Sequence, residues 1–265
     1  MLTTLRLEQF GDVQRLRMAS AGGRLARIDV SAYIVRGVLI DTGFHRARRA
    51  VHAAVTAMGV RGVIVTHWHE DHAGNVTTLA QRGLPIALRS ETERTLRARP
   101  DIQFYRRAIW GHPPALDSHV LPFEPQGFQL IHTPGHSEDH QVVLDLETGT
   151  LFSGDLWLGI RARVFHSSED PYVIIESLRR AAALRPDRMF DAHRGLVKTP
   201  SAALIARADW LSETIGTITR RVADGWGDRE IVARVLGGEE RAAIVSRGDY
   251  ARLNLVRAVR RKSEG

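Results

Sequence analysis

The 265-residue sequence contains no cysteine. This absence excludes disulfide scaffolds, thiol nucleophiles and thiolate metal sites, so a metal ion in this protein needs histidine and carboxylate ligands. Long apolar runs are also missing, since no stretch approaches the roughly 18 uncharged residues that a membrane-spanning helix needs. Residues 1–20 carry charges at intervals too short for the apolar core of a signal peptide. We therefore expect a cytoplasmic protein without a membrane partner.

Lysine is scarce: it occurs only at positions 198 and 262, although 37 residues are basic and the formal net charge is +7. Arginine therefore carries nearly all of the positive charge, and a guanidinium prefers flat anions such as phosphate or carboxylate. Acidic residues are interleaved with the arginines, and no basic run is longer than residues 260–262. The pattern favours a compositional bias over a nucleic-acid surface, and it leaves a small anionic substrate as an open alternative.

The composition is that of a soluble globular protein, with 43% hydrophobic and 25% charged residues. Up to residue 200, short β-rich segments alternate with helical ones, which predicts a layered α/β domain. Helices are predicted over residues 47–58 and 73–81. The predicted strands cover residues 32–35, 38–40, 62–65, 85–88, 129–131, 141–144 and 150–152.

The pattern becomes helical after residue 200. A long helix is predicted over residues 201–223, with Ser201 as its N-cap. Asp228 and Asp249 are predicted to cap two shorter helices, over residues 229–236 and 250–261. We therefore predict a main domain over residues 1–200 and a helical extension over residues 201–265 that packs on it.

A dense group of metal-ligand residue types follows the predicted strand at 62–65, where residues 66–75 read T-H-W-H-E-D-H-A-G-N. Imidazoles and carboxylates this close together are costly to bury without a partner, and a strand-to-helix turn directs them into one cavity. Further candidates follow other strand-like segments. The full set exceeds what one tetrahedral ion needs and predicts a site for two metal ions; it consists of His67, His69, Asp71, His72, His136, Asp155 and His193.

This set, in this order and spacing, resembles the metallo-β-lactamase superfamily, and the segment Leu39–Phe44 matches the element that usually precedes it. The resemblance covers about residues 30–197. It implies an αββα sandwich with the metal ions in a cleft at one edge of two packed sheets. It also implies that His67, His69 and His136 bind the first metal, that Asp71, His72 and His193 bind the second, and that Asp155 bridges them.

A metal pair of this kind predicts hydrolysis by a bridging hydroxide, which the two cations generate from water. Asp71 and Asp155 are the predicted catalytic residues, and Asp41 is predicted to position a ligand or its loop. Zinc suits the ligand set best, although iron and manganese accept it too. The absence of cysteine and the presence of Asp155 in a Ser-Gly-Asp motif disfavour a true β-lactamase. The Thr-Pro-Gly-His motif that ends at His136 resembles the glyoxalase II branch.

The predicted function is therefore hydrolysis of a small ester, thioester or lactone. A lactonase is the weakest of these, because the tyrosine expected shortly after Asp155 is absent. Two alternatives use the same fold, namely a single-stranded RNA phosphodiesterase and a mononuclear iron persulfide dioxygenase. A nuclease would bind with a steep salt dependence, but the C-terminal part lacks a clear basic stripe with aromatic residues.

Substrate contacts are predicted in two segments that lie outside the metal motif. Residues 89–120 interrupt the regular pattern with aromatic, basic and proline residues, as the rim of a cleft often does. Basic residues shortly after Asp155 are further candidates for binding an anion. The predicted contacts are Arg106, Arg107, Trp110, Arg161, Arg163 and His166. Trp68, Glu70, His132 and His140 are assigned to packing or supporting roles, outside the ligand set.

Overall fold

The structure is a computed structural model that describes residues 3–264. Its strands are β1 (Thr4–Phe10), β2 (Val13–Ala19), β3 (Val30–Val35), β4 (Val38–Ile40), β5 (Gly62–Ile64), β6 (Ile86–Ala87), β7 (Phe128–His132), β8 (Gln141–Asp145), β9 (Thr150–Phe152), β10 (Phe165–His166), β11 (Arg188–Asp191), β12 (Gly195–Val197) and β13 (Tyr250–Ala251). Its α-helices are α1 (Ala21–Ala26), α2 (Arg48–Ala57), α3 (Val76–Ala80), α4 (Ser90–Ala98), α5 (Phe104–Trp110), α6 (Pro171–Ala183), α7 (Pro200–Ala223), α8 (Asp228–Val235), α9 (Arg241–Val245) and α10 (Arg252–Glu264). A short 3-10 helix, His45–Ala47, precedes α2.

The chain divides into two compact units, each assembled from three stretches of sequence. Unit 1 comprises Met1–His132, Asp139–Asp155 and Asp187–Val197. Unit 2 comprises Thr133–Glu138, Leu156–Pro186 and Lys198–Gly265. The helices after residue 200 thus share a unit with two earlier stretches. The division at residue 200 into a main domain and a helical extension stays a prediction.

Unit 1 contains two β-sheets. In the first, strands β1 to β6 follow one another in chain order, antiparallel up to β4 and parallel from β4 to β6. In the second, the order is β12-β11-β9-β8-β7. Strands β3 and β4 are buried along their whole length, which explains their continuous apolar sequences.

Aromatic rings join the two sheets of unit 1. Tyr33 of β3 lies 5.3 Å from the ring of Phe152 in β9 and 5.2 Å from the ring of Phe190 in β11. The opposite side of the first sheet is covered by helices, which contribute Val51, Leu79 and further buried residues to a second apolar cluster. Buried sheets with one shared aromatic layer form a sandwich, so the predicted layered fold is present.

Unit 2 is mainly helical. Helix α6 packs along α7, and α10 packs on α7 and α8. Strand β10 pairs antiparallel with β13, which aligns Phe165 with Ala251 and His166 with Tyr250. None of the helices within residues 3–264 is both long enough and apolar enough to cross a bilayer.

The predicted helix starts in unit 2 need correction. Helix α7 begins at Pro200, with Thr199 rather than Ser201 as the N-cap residue, because proline is well suited to the first helical position. Asp228 is already the first residue of α8, after Gly227 as N-cap. Asp249 caps no helix, since β13 follows it and its carboxylate lies 3.1 Å from His166 Nε2.

Candidate metal centre

The His/Asp motif forms the connection between β5 and α3. The backbone N–H groups of His72 and Ala73 both donate to the carbonyl of His69, at 2.9 and 2.8 Å, and close a tight turn. Gly74 lies so close to this turn that a Cβ atom would be 2.3 Å from the carbonyl oxygen of Glu70. Position 74, two residues after His72, therefore has to be glycine, and the turn holds the ligand-type side chains at the end of β5.

Asp41, directly after β4, fixes the motif from the neighbouring strand. Its Oδ1 accepts hydrogen bonds from Thr66 N at 2.8 Å and Thr66 Oγ1 at 2.9 Å. Its Oδ2 accepts from His72 Nδ1 at 2.7 Å. Donation from Nδ1 leaves Nε2 as the nitrogen of His72 that can bind a metal ion, so Asp41 orients this predicted ligand.

Asp41→Ala is expected to weaken metal binding about 10–100-fold and to destabilise the fold by about 1–3 kcal/mol, because buried donors lose their acceptor. Chelator competition and urea unfolding measure the two effects. Asp12→Ala is the matched control, since Asp12 is a surface carboxylate paired with Arg188, and its metal affinity should equal that of the wild type. Wild-type metal affinity in Asp41→Ala would contradict the orienting role.

The carboxylate of Asp155 belongs to one group of ligand-type atoms in unit 1 and lies next to a second group. With His67 and His69 it forms one group, whose ligand atoms lie within 4.8 Å of one another. Its Oδ1 also lies 3.2 Å from His72 Nε2 and 3.3 Å from His193 Nε2. The second group, with the same 4.8 Å limit, consists of Asp71, His72 and His193. Asp155 thus lies beside both groups of ligand-type side chains, and its role as a bridging ligand stays a prediction.

The charges in this part of unit 1 fit a cation. Burial opposes the charge of His72 and His193, but nearby carboxylates outweigh it, raising the pKa of His72 well above its usual value and that of His193 to about 10. Burial also disfavours ionised Asp155, yet the same two imidazoles hold its pKa well below the usual value. His72 Nε2 is buried and makes no hydrogen bond within residues 3–264. A divalent cation can take the place of the imidazole protons, so the residues present fit a metal ion.

Two residues outside the predicted set hold the ligand loops. Asp139 Oδ2 accepts from Trp68 N at 2.8 Å and from Thr92 Oγ1 at 2.7 Å. His140 Nε2 accepts from the backbone N–H of Asp155 at 3.1 Å. Asp139 is 71 residues from Trp68 in the sequence, so no local pattern indicates it, whereas a supporting role for His140 was among the expectations from the sequence.

His136 belongs to unit 2, where it is buried. Its Nδ1 donates to Glu169 Oε1 at 2.7 Å. A carboxylate on one ring nitrogen is the usual arrangement behind a metal-binding histidine. Its membership of the ligand set stays a prediction from the sequence.

Two of the predicted substrate contacts lie in the interior of unit 1. Arg106 is buried, and its Nε and Nη2 donate to the two carboxylate oxygens of Glu70, both at 2.6 Å. Trp110 is also buried, with its ring 5.0 Å from that of Phe44. The guanidinium faces a carboxylate of the protein and the indole belongs to the core, and a role of either side chain in substrate binding stays a prediction.

The other four predicted contacts are more exposed. Arg107 Nε donates to the carbonyl of residue 102 at 2.8 Å. Arg163 pairs with Glu240 at 2.9 Å, and His166 pairs with Asp249 in the C-terminal part of unit 2. Arg161 is exposed. The role of these four in substrate binding stays a prediction.

Residues 26–193 match the family model described as metallo-beta-lactamase superfamily. This match covers more than half of the chain, and it includes all seven predicted ligand positions. The protein therefore belongs to the metallo-β-lactamase superfamily.

Curated relatives resemble part of the chain. The Beta-lactamase-like protein 2 homolog of Drosophila melanogaster is 32% identical in an alignment of 178 residues that covers 62% of this chain and 57% of that protein. The atrochrysone carboxyl ACP thioesterase of Aspergillus fumigatus is 30% identical in an alignment of 171 residues that covers 61% of this chain and 35% of that protein. The chain thus spans 57% of one of these relatives and 35% of the other.

Solved structures with a similar fold are metallo-β-lactamases. The DIM-1 enzyme superimposes with a TM-score of 0.62 at 16% identity, over 79% of this chain and 97% of that chain. The FIM-1 enzyme of Pseudomonas aeruginosa gives a TM-score of 0.59 at 18% identity, over 79% of this chain and 95% of that chain. At these identities the likeness concerns the fold alone, and it confirms the predicted fold class.

Proposed function

We propose that the protein is a metal-dependent hydrolase that acts on a small ester or thioester with two divalent metal ions. The observation that carries this proposal is the position of Asp155, whose carboxylate belongs to one group of ligand-type atoms and lies within 3.3 Å of two histidines of the other. A thioester is favoured because one relative at 30% identity is named a thioesterase and because the sequence resembles the glyoxalase II branch.

Under this proposal the ligands divide as the family resemblance implies. His67, His69 and His136 hold one ion, Asp71, His72 and His193 hold the other, and Asp155 binds both. Imidazole nitrogens and carboxylate oxygens suit zinc. When bound, the two cations acidify a water molecule and polarise the carbonyl group of the substrate.

The side chains of unit 1 prepare the site for this chemistry. Asp71 is a buried carboxylate, 3.9 Å from His72 Nε2 and 3.7 Å from His193 Nε2, and it can accept a hydrogen bond that orients the attacking water. His193 Nδ1 donates to the carbonyl of Asp29 at 2.6 Å, which leaves its Nε2 for a metal ion. Low exposure at these residues strengthens each electrostatic contact.

The test combines metal analysis with a substrate panel. The protein is purified without added metal and then loaded with zinc. It should then contain two divalent ions per chain and hydrolyse an acyl thioester with kcat/KM on the order of 10⁴ M⁻¹s⁻¹ or more. Aryl esters, lactones, single-stranded RNA and a glutathione persulfide serve as the comparison substrates. One iron per chain with oxygen consumption and no hydrolysis would refute the proposal, as would RNA cleavage with no thioester turnover.

Removing the metal should also destabilise the protein. A ligand present at about 1,000 times its Kd stabilises the native state by about 4 kcal/mol, provided that it does not bind the unfolded chain. Thermal unfolding after exhaustive chelation should therefore show a lower Tm, and zinc should restore it. An unchanged Tm would contradict metal binding by the folded protein, and calcium, which prefers oxygen ligands, serves as the control cation.

A further inference from the structure

Glu169 is a partly buried residue whose carboxylate faces a single predicted ligand. Its Oε1 accepts from His136 Nδ1 at 2.7 Å, and the exposed fractions of the two side chains are 9% and 4%. The hydrogen bond assigns the Nδ1 proton and fixes the plane of the ring, so Nε2 is the nitrogen left for a metal ion. The orientation of His136 therefore depends on where Glu169 is held.

The C-terminal segment of unit 2 holds the loop that carries Glu169. Strand β10, just before this loop, pairs with β13. His166 N donates to Glu169 Oε2 at 3.2 Å, and the backbone N–H of Ser167 donates to the carbonyl of Asp249 at 3.0 Å. The Asp249 carboxylate lies 3.1 Å from both His166 Nε2 and Ser167 Oγ. Asn254 Nδ2 donates to the carbonyl of residue 165 at 3.0 Å.

The turn that carries His136 is fixed from the other side by α6. The Asp170 N–H donates to the carbonyl of Gly135 at 2.9 Å, and Ser177 Oγ donates to the carbonyl of Pro134 at 2.7 Å. A Cβ atom on Gly135, which has a positive φ of 120°, would lie 2.6 Å from the backbone nitrogen of Ile174. Backbone and ring of His136 are thus held by separate contacts within unit 2, and Glu169 supplies the contact to the ring.

We propose that Glu169 is a positioning residue for metal binding by His136, and that the segment Asp249–Asn254 maintains this position through β10. The proposal rests on the proposed function, because it needs His136 to be a metal ligand. It assigns the C-terminal segment a part in building the metal site. If this segment only covered the core of unit 2, removing the contacts of Asp249 would leave the metal affinity unchanged.

The experiment measures metal affinity directly, by cobalt titration with visible absorption and chelator competition. Glu169→Ala should weaken the binding of one of the two cobalt ions about 10–100-fold and change the absorption spectrum of that ion. Glu169→Gln, which keeps the shape and an acceptor oxygen, should recover part of the loss and covers the case in which the alanine variant does not fold. Asp249→Ala should weaken the same ion in the same direction.

Asp224→Ala is the matched control, because this aspartate also lies in the C-terminal part of unit 2 but pairs with the half-exposed Arg221. It should bind both cobalt ions like the wild type. Wild-type cobalt affinity and spectrum in Glu169→Ala, Glu169→Gln and Asp249→Ala would overturn the inference, even if the wild type hydrolyses thioesters. Cobalt binding by the wild type without hydrolysis of any panel substrate would refute the proposed function, and the titrations would still decide the role of Glu169.

Discussion

Asp155→Ala is expected to abolish hydrolysis, with a loss of kcat/KM of at least about 10³-fold, or about 4 kcal/mol of transition-state stabilisation. The reason is that one carboxylate lies beside both groups of ligand-type atoms: its Oδ1 is close to His72 and His193, and it also completes the group of His67 and His69. Without it, neither ion keeps its full set of ligands, so metal content should fall below two per chain. Steady-state kinetics and elemental analysis test the two expectations.

Asp155→Asn separates charge from shape in this prediction. The amide keeps the volume of the side chain but supplies no negative charge, and we expect it to be nearly as inactive as the alanine variant. Asp187→Asn is the control, since it removes an exposed carboxylate beside the start of β11 and should keep both metal ions and full activity. Full activity with two bound metals in Asp155→Ala would show that this residue is not the shared ligand.

The second large effect is expected from the buried ion pair of Arg106 and Glu70. Arg106→Met leaves the carboxylate of Glu70, whose side chain is 2% exposed, without its two guanidinium donors. Burial raises the pKa of Glu70, and Arg106 opposes this rise. Without Arg106, the variant must bury Glu70 either as an unpaired carboxylate or as a protonated carboxyl group. We expect the free energy of unfolding to fall by about 3–5 kcal/mol, measured by urea denaturation at fixed metal concentration.

Arg107→Met is a sharp control for this prediction, because the neighbouring guanidinium is 42% exposed and pairs with the exposed Asp101. Exposed pairs contribute about 0–1 kcal/mol, so its stability should change little. A double variant, Glu70→Leu with Arg106→Met, should recover much of the loss, since an apolar pair can replace a buried ion pair. Equal stabilities of Arg106→Met and Arg107→Met would contradict the role of the pair.

Secondary structure could be predicted from the sequence wherever a local residue pattern determines it. Each of the seven strands predicted between residues 32 and 152 is present, with ends that differ by a few residues. All except β7 are buried along their length, and burial favours the apolar segments from which they were predicted. Helix α6 was not predicted, although Asp170 accepts from the N–H groups of Tyr172 and Val173 and Pro171 follows at the first helical position. This is a recognisable start signal, so that omission was avoidable.

Of the candidate site, only the residues that lie close together in the sequence could be predicted. The motif at residues 67–72 is contiguous, and its chemistry follows from residue type. The contacts that hold it are not contiguous: Glu70 is paired with a residue 36 positions away, and Trp68 N with one 71 positions away. Arg106 illustrates the difference, since its charge suggested a substrate contact, whereas tertiary packing gives it a buried protein partner.

The discontinuous make-up of unit 2 has a consequence for biosynthesis. The stretch Thr133–Glu138, which bears His136, shares its unit with residues 198–265, and β10 finds its strand partner only at residues 250–251. At about 5–20 residues per second of translation, Tyr250 is made on the order of 10 s after His136. Unit 2 thus cannot assemble until the ribosome has translated the C-terminal residues 198–265. We therefore expect the His136 turn to become ordered late and, on the proposed function, the two metal ions to be loaded after synthesis has almost finished.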